Sequence, residues 1–218
     1  MVESREPKAS AGVVQGSATP LNADPLASPM TEELKDHGAP VEVTMRRPSL
    51  VGVPALPTLA APLALRGARV DDAAALATLL GRAYEGEVWE SAHVERELLC
   101  DPTVRETLVV ASGERLIATA SFQVRPDTPE CGWVRWVATD PDRRREGLAR
   151  ALVIGVLSMA ARAGCRDSRL DTRTDRLAAI QLYLKLGFEP LVTTDAGRDV
   201  WAAVLSALNK ARGRAEPR

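Results

Sequence analysis

The segment VRWVATDPDRRREGLARAL, Val134–Leu152, carries the residue types and spacing best suited to chemistry in this chain. An apolar run ends at Asp140-Pro141, three consecutive arginines follow (Arg143, Arg144, Arg145), and a helical pattern opens at Gly147. A helix start leaves about four backbone N–H groups without intrahelical partners, and the macrodipole adds partial positive charge there. Glycine at that point lets a phosphate approach the main chain, Ala149 keeps the first turn narrow, and the arginines supply counter-charge. The segment therefore reads as a diphosphate cradle. A solvated basic turn and a nucleic-acid patch are the competing readings of the same residues. The nucleoside-triphosphate loop is disfavoured because no Gly-Lys-Ser/Thr follows, and the dinucleotide fingerprint because only one glycine is present.

The elements that must position this loop can be read from periodicity. Ala64–Gly67 is consistent with a strand, and Asp71 and Asp72 precede apolar residues at Ala75, Leu76, Leu79, Leu80 and Ala83, spaced for one helical face. A second short helix is expected from Ser91 to Leu99, ended by Asp101-Pro102. Thr107–Ala111 and Leu116–Val124 flank Gly113-Glu114 as a hairpin would, and a further strand runs over Cys131–Ala138. A helix from Gly147 to Gly164 follows, then a strand at Ser168–Arg173, a helix from Asp175 to Leu186, a strand at Phe188–Thr193 and a terminal helix around Val200–Leu208. The order β-α-α-β-β-β-α-β-α-β-α implies an α/β domain with a mixed, mostly antiparallel sheet of about six strands and one parallel neighbouring pair.

Composition divides the chain. All Trp, Tyr and Phe residues lie between Tyr84 and Trp201, whereas nine of the fifteen prolines fall in the first sixty-two residues. Residues 1–62 are expected to be a disordered Pro/Ala-rich tail, with a short docking helix at Thr31–Lys35 as the alternative; 63–210 form the domain, and 211–218 a disordered end. A net charge of −1 gives no global field for nucleic acid or an anionic membrane. The longest apolar stretch is broken by Pro54, Pro57 and Pro62, so no membrane-spanning segment is expected. Cys100, Cys131 and Cys165 fit neither a disulfide framework nor a metal clamp, and a reducing cytoplasm suits them; no metal is expected. The opening MVESREPKAS lacks the apolar core of a signal peptide.

Arg144-x-x-Gly147-x-Ala149 after a strand resembles the acyl-CoA pyrophosphate loop of the GNAT superfamily of N-acetyltransferases, whose pattern is Gln/Arg-x-x-Gly-x-Gly/Ala. RLAAIQLYLKLGFEP, Arg176–Pro190, is similar to that family's later helix and strand, with Ala-Ile-x-Leu-Tyr followed by Leu-Gly-Phe. The likeness covers residues 63 to about 195. It implies an acyltransferase that moves an acetyl group from acetyl-CoA to a primary amine by direct attack. Val137, Ala138 and Thr139 would pair with the pantetheine arm as an added strand would. Arg144, Arg145, Glu146, Gly147, Leu148, Ala149 and Arg150 would hold the pyrophosphate. Tyr183 would protonate the leaving sulfur, since a phenol with a reference pKa of about 10 is neutral yet acidic enough to protonate a departing thiolate. Its bland alternative is a ring packed with Ile180 and Leu184.

The acceptor ammonium must lose a proton before attack. The family often uses a strand-borne acid, but Trp133, Val134, Arg135 and Trp136 offer none, which leaves Glu130, Glu87, Glu90 and His93 as candidate bases; Glu130 is the one advanced. The segment between the first two helices, with Glu87 and Trp89, is the expected acceptor wall by the same likeness. Arg145 stands where the family often has glycine, Arg176 replaces a frequent asparagine, and the family's last strand is not visible after Asp195. The expected partner is an amine-bearing small molecule or peptide, with no nucleic acid or membrane, and the protein a monomer or homodimer. A non-catalytic acyl-CoA-binding module of the same fold is the rival reading.

Overall fold

The computed structural model describes residues 39–84 and 87–215. Among these residues seven strands form one sheet: β1 (Glu42–Arg47), β2 (Leu63–Gly67), β3 (Val104–Ser112), β4 (Arg115–Gln123), β5 (Cys131–Thr139), β6 (Asp167–Arg173) and β7 (Glu189–Pro190). Among the described residues five α-helices accompany them: α1 (Ala73–Ala83), α2 (Ser91–Val94), continued by a π turn to Leu99, α3 (Leu148–Arg162), α4 (Leu177–Lys185) and α5 (Asp195–Ala215). The strand order is β2-β3-β4-β5-β6-β1-β7, antiparallel throughout except for the β5–β6 pair. From β2 onward the element order matches the expected one, although the last strand is reduced to two residues.

Apolar faces dictate the layers. Leu152, Val153, Val156, Leu157 and Ala160 of α3 pack with Val110, Ala120, Phe122 and Val134 of the sheet, in one core shared with α4 and α5. Leu76, Leu79, Leu80 and Ala83 of α1 form a second core with Val109, Trp136 and Ala138 on the opposite face. Gly132 allows β5 and α3 their close approach, because a Cβ there would lie 2.5 Å from that of Ala160.

The segment expected to lack structure up to residue 62 instead supplies β1, inserted between β6 and β7. Its register pairs Glu42 with Arg173 and Thr44 with Asp171, and Met45 is fully buried. The alternation is genuine, with Val43, Met45 and Arg47 inside, but it spans only six residues and half of those are charged. Pairing with β6 and burial against the core decide the conformation, neither of which is visible in so short a window. Arg47, the inward-facing cation, donates to the Leu186 carbonyl at the end of α4. At the other terminus the helix runs to Ala215, past the expected limit at 210. Residues 1–38, including the Thr31–Lys35 segment, lie outside the described residues. Among the described residues no helix is long and apolar enough to cross a membrane.

Candidate active site at the open end of β5

Two features of β5 create the site. Opposite β4, Ser121 pairs with Arg135 but Thr119 with Ala138, so Trp136 and Val137 bulge against a single partner. Trp136 accordingly adopts φ 47°. On its other edge the ladder with β6 covers only Cys131–Trp133. Among the described residues Val137–Thr139 thus have no strand partner on that side, as an extended ligand would require. The Tyr84 hydroxyl, at the end of α1, donates to the Val137 carbonyl at 3.4 Å.

Beyond Thr139 the chain makes a short 3-10 turn over Pro141–Arg143 and enters α3. Arg145 and Gly147 both take left-handed backbone angles, φ 67° and 79°. Gly147 is the N-cap of α3, no side chain among the described residues caps it, and no acid lies in the first turn. The first intrahelical bond is Ala151 N–H to the Gly147 carbonyl at 3.0 Å, so the amides of Leu148, Ala149 and Arg150 precede the helical ladder. These amides border a cleft of about 180 Å³ lined by Thr139, Arg143–Arg145, Gly147–Arg150, Ala178 and Leu182. Thr139 is 3% exposed, and its hydroxyl oxygen makes no hydrogen bond among the described residues. Uncapped amides, a buried hydroxyl with no partner among the described residues and exposed Arg145 and Arg150 together offer donors and positive charge to the acceptor oxygens of a phosphate ester. Arg143 contributes less charge than its position suggests, because it forms a two-pronged pair with Glu146 at 2.6 and 2.8 Å.

Most residues singled out from sequence converge here. Val137, Ala138 and Thr139 form the end of β5, and Arg144 to Arg150 form the loop and first turn. Tyr183 lies on α4 at 2% exposure, its ring edge-on to Phe188 with centroids 5.9 Å apart. Trp89 stacks on Tyr84 at 5.7 Å and meets His93 edge-on at 5.3 Å, which joins the α1–α2 segment to the bulge. Glu87 is half-buried and its amide bonds the Tyr84 carbonyl. Glu130 is not brought to this place. It precedes β5 at the end opposite the loop, roughly 30 Å of strand away from it. There it is exposed and paired with Arg166 at 3.1 Å. Proximity in sequence to the strand, without its direction, is what made it look available.

Sequence reading missed a charged group on the face of the sheet that carries α1. Arg135 is 4% exposed, 3.8 Å from Asp171 and 4.8 Å above the Trp136 ring. Burial pushes its guanidinium below the ordinary range. Asp171 also accepts from Thr44 at 2.8 Å and from Arg125 at 3.3 Å, while Arg125 stacks on Trp133 at 3.5 Å. Glu42 completes the group; burial, then Asp171, raises its carboxyl above the usual range. The signal available in advance was the polar alternation Arg169, Asp171, Arg173, whose register with a strand from the N-terminal region could not be foreseen. The thiol of Cys131 is pushed up by burial and by its bond to Asp167, the opposite of what a thiolate nucleophile needs. Among the described residues no cluster of three or more His, Cys, Asp or Glu could hold a metal ion.

The pattern of the Acetyltransferase (GNAT) family matches residues 73–188, more than half of the chain. The protein therefore belongs to the GNAT acetyltransferases and is an acyltransferase. It is 28% identical over 131 residues to the ribosomal protein bS18-alanine N-acetyltransferase of Escherichia coli, a match covering 53% of this chain and 86% of that enzyme. The crystal structure of that E. coli enzyme superposes with TM-score 0.52 at 23% identity, over 60% of this chain and 79% of the other. A GCN5-related N-acetyltransferase from Sphaerobacter thermophilus gives TM-score 0.57 at 21% identity, over 73% of this chain and 52% of that one. The chain thus spans about half of the latter's length, and both superpositions speak to the fold alone.

Proposed function

We propose that this protein transfers an acetyl group from acetyl-CoA to a primary amine by direct attack. The observation that carries this reading is the uncapped N-terminus of α3 at Gly147, opening onto the cleft beside the buried Thr139 hydroxyl. The amides of Leu148–Arg150 would take the diphosphate, with Arg145 and Arg150 as counter-charge. The free edge of Val137–Thr139 would align the pantetheine arm, and the bulge at Trp136–Val137, which interrupts the ladder with β4, would leave backbone groups to polarise the carbonyl to be attacked.

Tyr183 is assigned the proton for the leaving sulfur. Ala178 and Leu182 of the same helix line the cleft, which supports placing that proton donor on α4. The acceptor would enter from the α1–α2 side, past Trp89 and Tyr84. The bS18-alanine enzyme acts on a protein's alanine, which makes a peptide amino terminus one member of the acceptor panel. Turnover of acetyl-CoA against amino acids, polyamines and peptides with free amino termini tests the proposal. Release of free thiol with at least one amine is expected; tight acetyl-CoA binding without turnover on any of them would favour the non-catalytic module.

A further inference from the structure

Asp140 is the first residue after β5 and is 1% exposed, yet it is an acid. Its carboxylate accepts from Arg115 at the start of β4, from Arg82 near the end of α1 at 3.1 Å, and from the Asp142 amide at 3.1 Å. Its own amide donates to the Ile117 carbonyl at 2.8 Å, and its carbonyl receives the Arg143 amide at 2.9 Å. Arg82 reaches on to Asp142 at 2.7 Å. One side chain thus ties the hairpin, α1 and the turn that leads into α3. A buried carboxylate is tolerated only when its partners are in place, so this arrangement is a specific one.

We infer that Asp140 is the positioning residue of the diphosphate loop, holding through Arg82 and Arg115 the point at which the chain leaves β5 and so the direction of the α3 amides. The inference rests on the reading that this loop binds the cofactor's diphosphate. The loop needs such an anchor. Arg145 and Gly147 both sit in left-handed backbone regions, and a non-glycine residue holds that conformation only when its surroundings over-determine it. Arg82 and Arg115 are partly exposed, at 42% and 54%, so loss of the acid returns them to water and does not strand them.

The test is calorimetric binding of CoA and of its diphosphate-bearing half, 3′-phosphoadenosine 5′-diphosphate, to wild-type protein and to Asp140→Asn, Arg115→Ala and the double variant, with a thermal melt of each. Asparagine keeps the shape and an acceptor for the Asp142 amide but removes the charge. The expected result is a loss of about tenfold or more for Asp140→Asn, by the same factor for both ligands. Arg115→Ala, an exposed change that threatens no core packing, should lose a smaller factor, and the double variant should be no worse than Asp140→Asn alone. Weaker CoA binding with the fragment spared would place the effect away from the diphosphate, losses that follow the melting temperature would make the role merely structural, and additive losses would uncouple Arg115 from Asp140; each of these overturns the inference. Wild-type protein that binds neither ligand removes the cofactor reading itself. Wild-type binding with an unchanged Asp140→Asn removes the anchor alone.

Discussion

Gly147 allows the backbone and the electrostatics of the proposed cradle to be tested separately. Its φ of 79° is a region where an L side chain costs about 1–2 kcal/mol, while a Cβ built there meets nothing within 4 Å. Gly147→Ala should therefore cost only that strain, a fall of about 2–8 °C in Tm for a domain of this size. Gly147→Glu carries the same strain and adds a carboxylate where the diphosphate is to sit. At about 4 Å and an effective dielectric of about 20, each pair of unit charges repels by about 4 kcal/mol, close to a thousandfold in Kd. Melts of the ligand-free proteins and calorimetric titration with CoA separate the two effects. The expected outcome is two variants with similar Tm and widely different affinities. If Gly147→Glu bound CoA within about threefold of Gly147→Ala, the anion-cradle argument would be refuted. If neither variant melted below wild type, the helix cap would be wrong.

Three further outcomes follow from the same geometry. Tyr183→Phe should lower kcat by about a hundredfold or more with acetyl-CoA affinity nearly intact, as read by steady-state kinetics beside calorimetry; parallel loss of both would make Tyr183 a packing residue. Arg145→Gly relieves the strain of φ 67° and should hold or raise Tm while weakening CoA binding by loss of a cation, whereas a clear drop in Tm would show that the left-handed turn does not limit stability. The carboxyl of Glu42 is raised by burial and then by Asp171, so its stabilising contribution is complete below the ordinary carboxylate range and is lost as pH rises through the raised value. Glu42→Gln should therefore be at least as stable as wild type at pH 7 and flatter in denaturation midpoint across that rise; a less stable glutamine variant at pH 7 would reverse the sign of the argument.

Local signals were legible where one segment carries its own reason. The α3 stripe, the Gly113-Glu114 hairpin and the arginine loop ending at Gly147 each depend on neighbours in sequence, and each is where periodicity placed it. What was illegible depends on partners far along the chain. β1 needs β6, more than a hundred residues later, to bury Met45, so a Pro-rich surround read as tail. Glu130 and Thr139 bound the same strand, but only the direction of β5 shows that the first faces away from the loop. The Arg135–Asp171–Glu42 group required the register of three strands at once. The positive φ of Arg145 gives a physical reason for the glycine that the family often has at that position, a departure visible in sequence without its cause.

The most direct measurement is the change in backbone amide resonances of the isotope-labelled protein on addition of CoA. The account predicts large downfield shifts at Leu148, Ala149 and Arg150, as their N–H groups acquire a phosphate acceptor, with smaller changes along Val137–Thr139. Binding that left those three amides unmoved, or that shifted a different face of the protein, would contradict it.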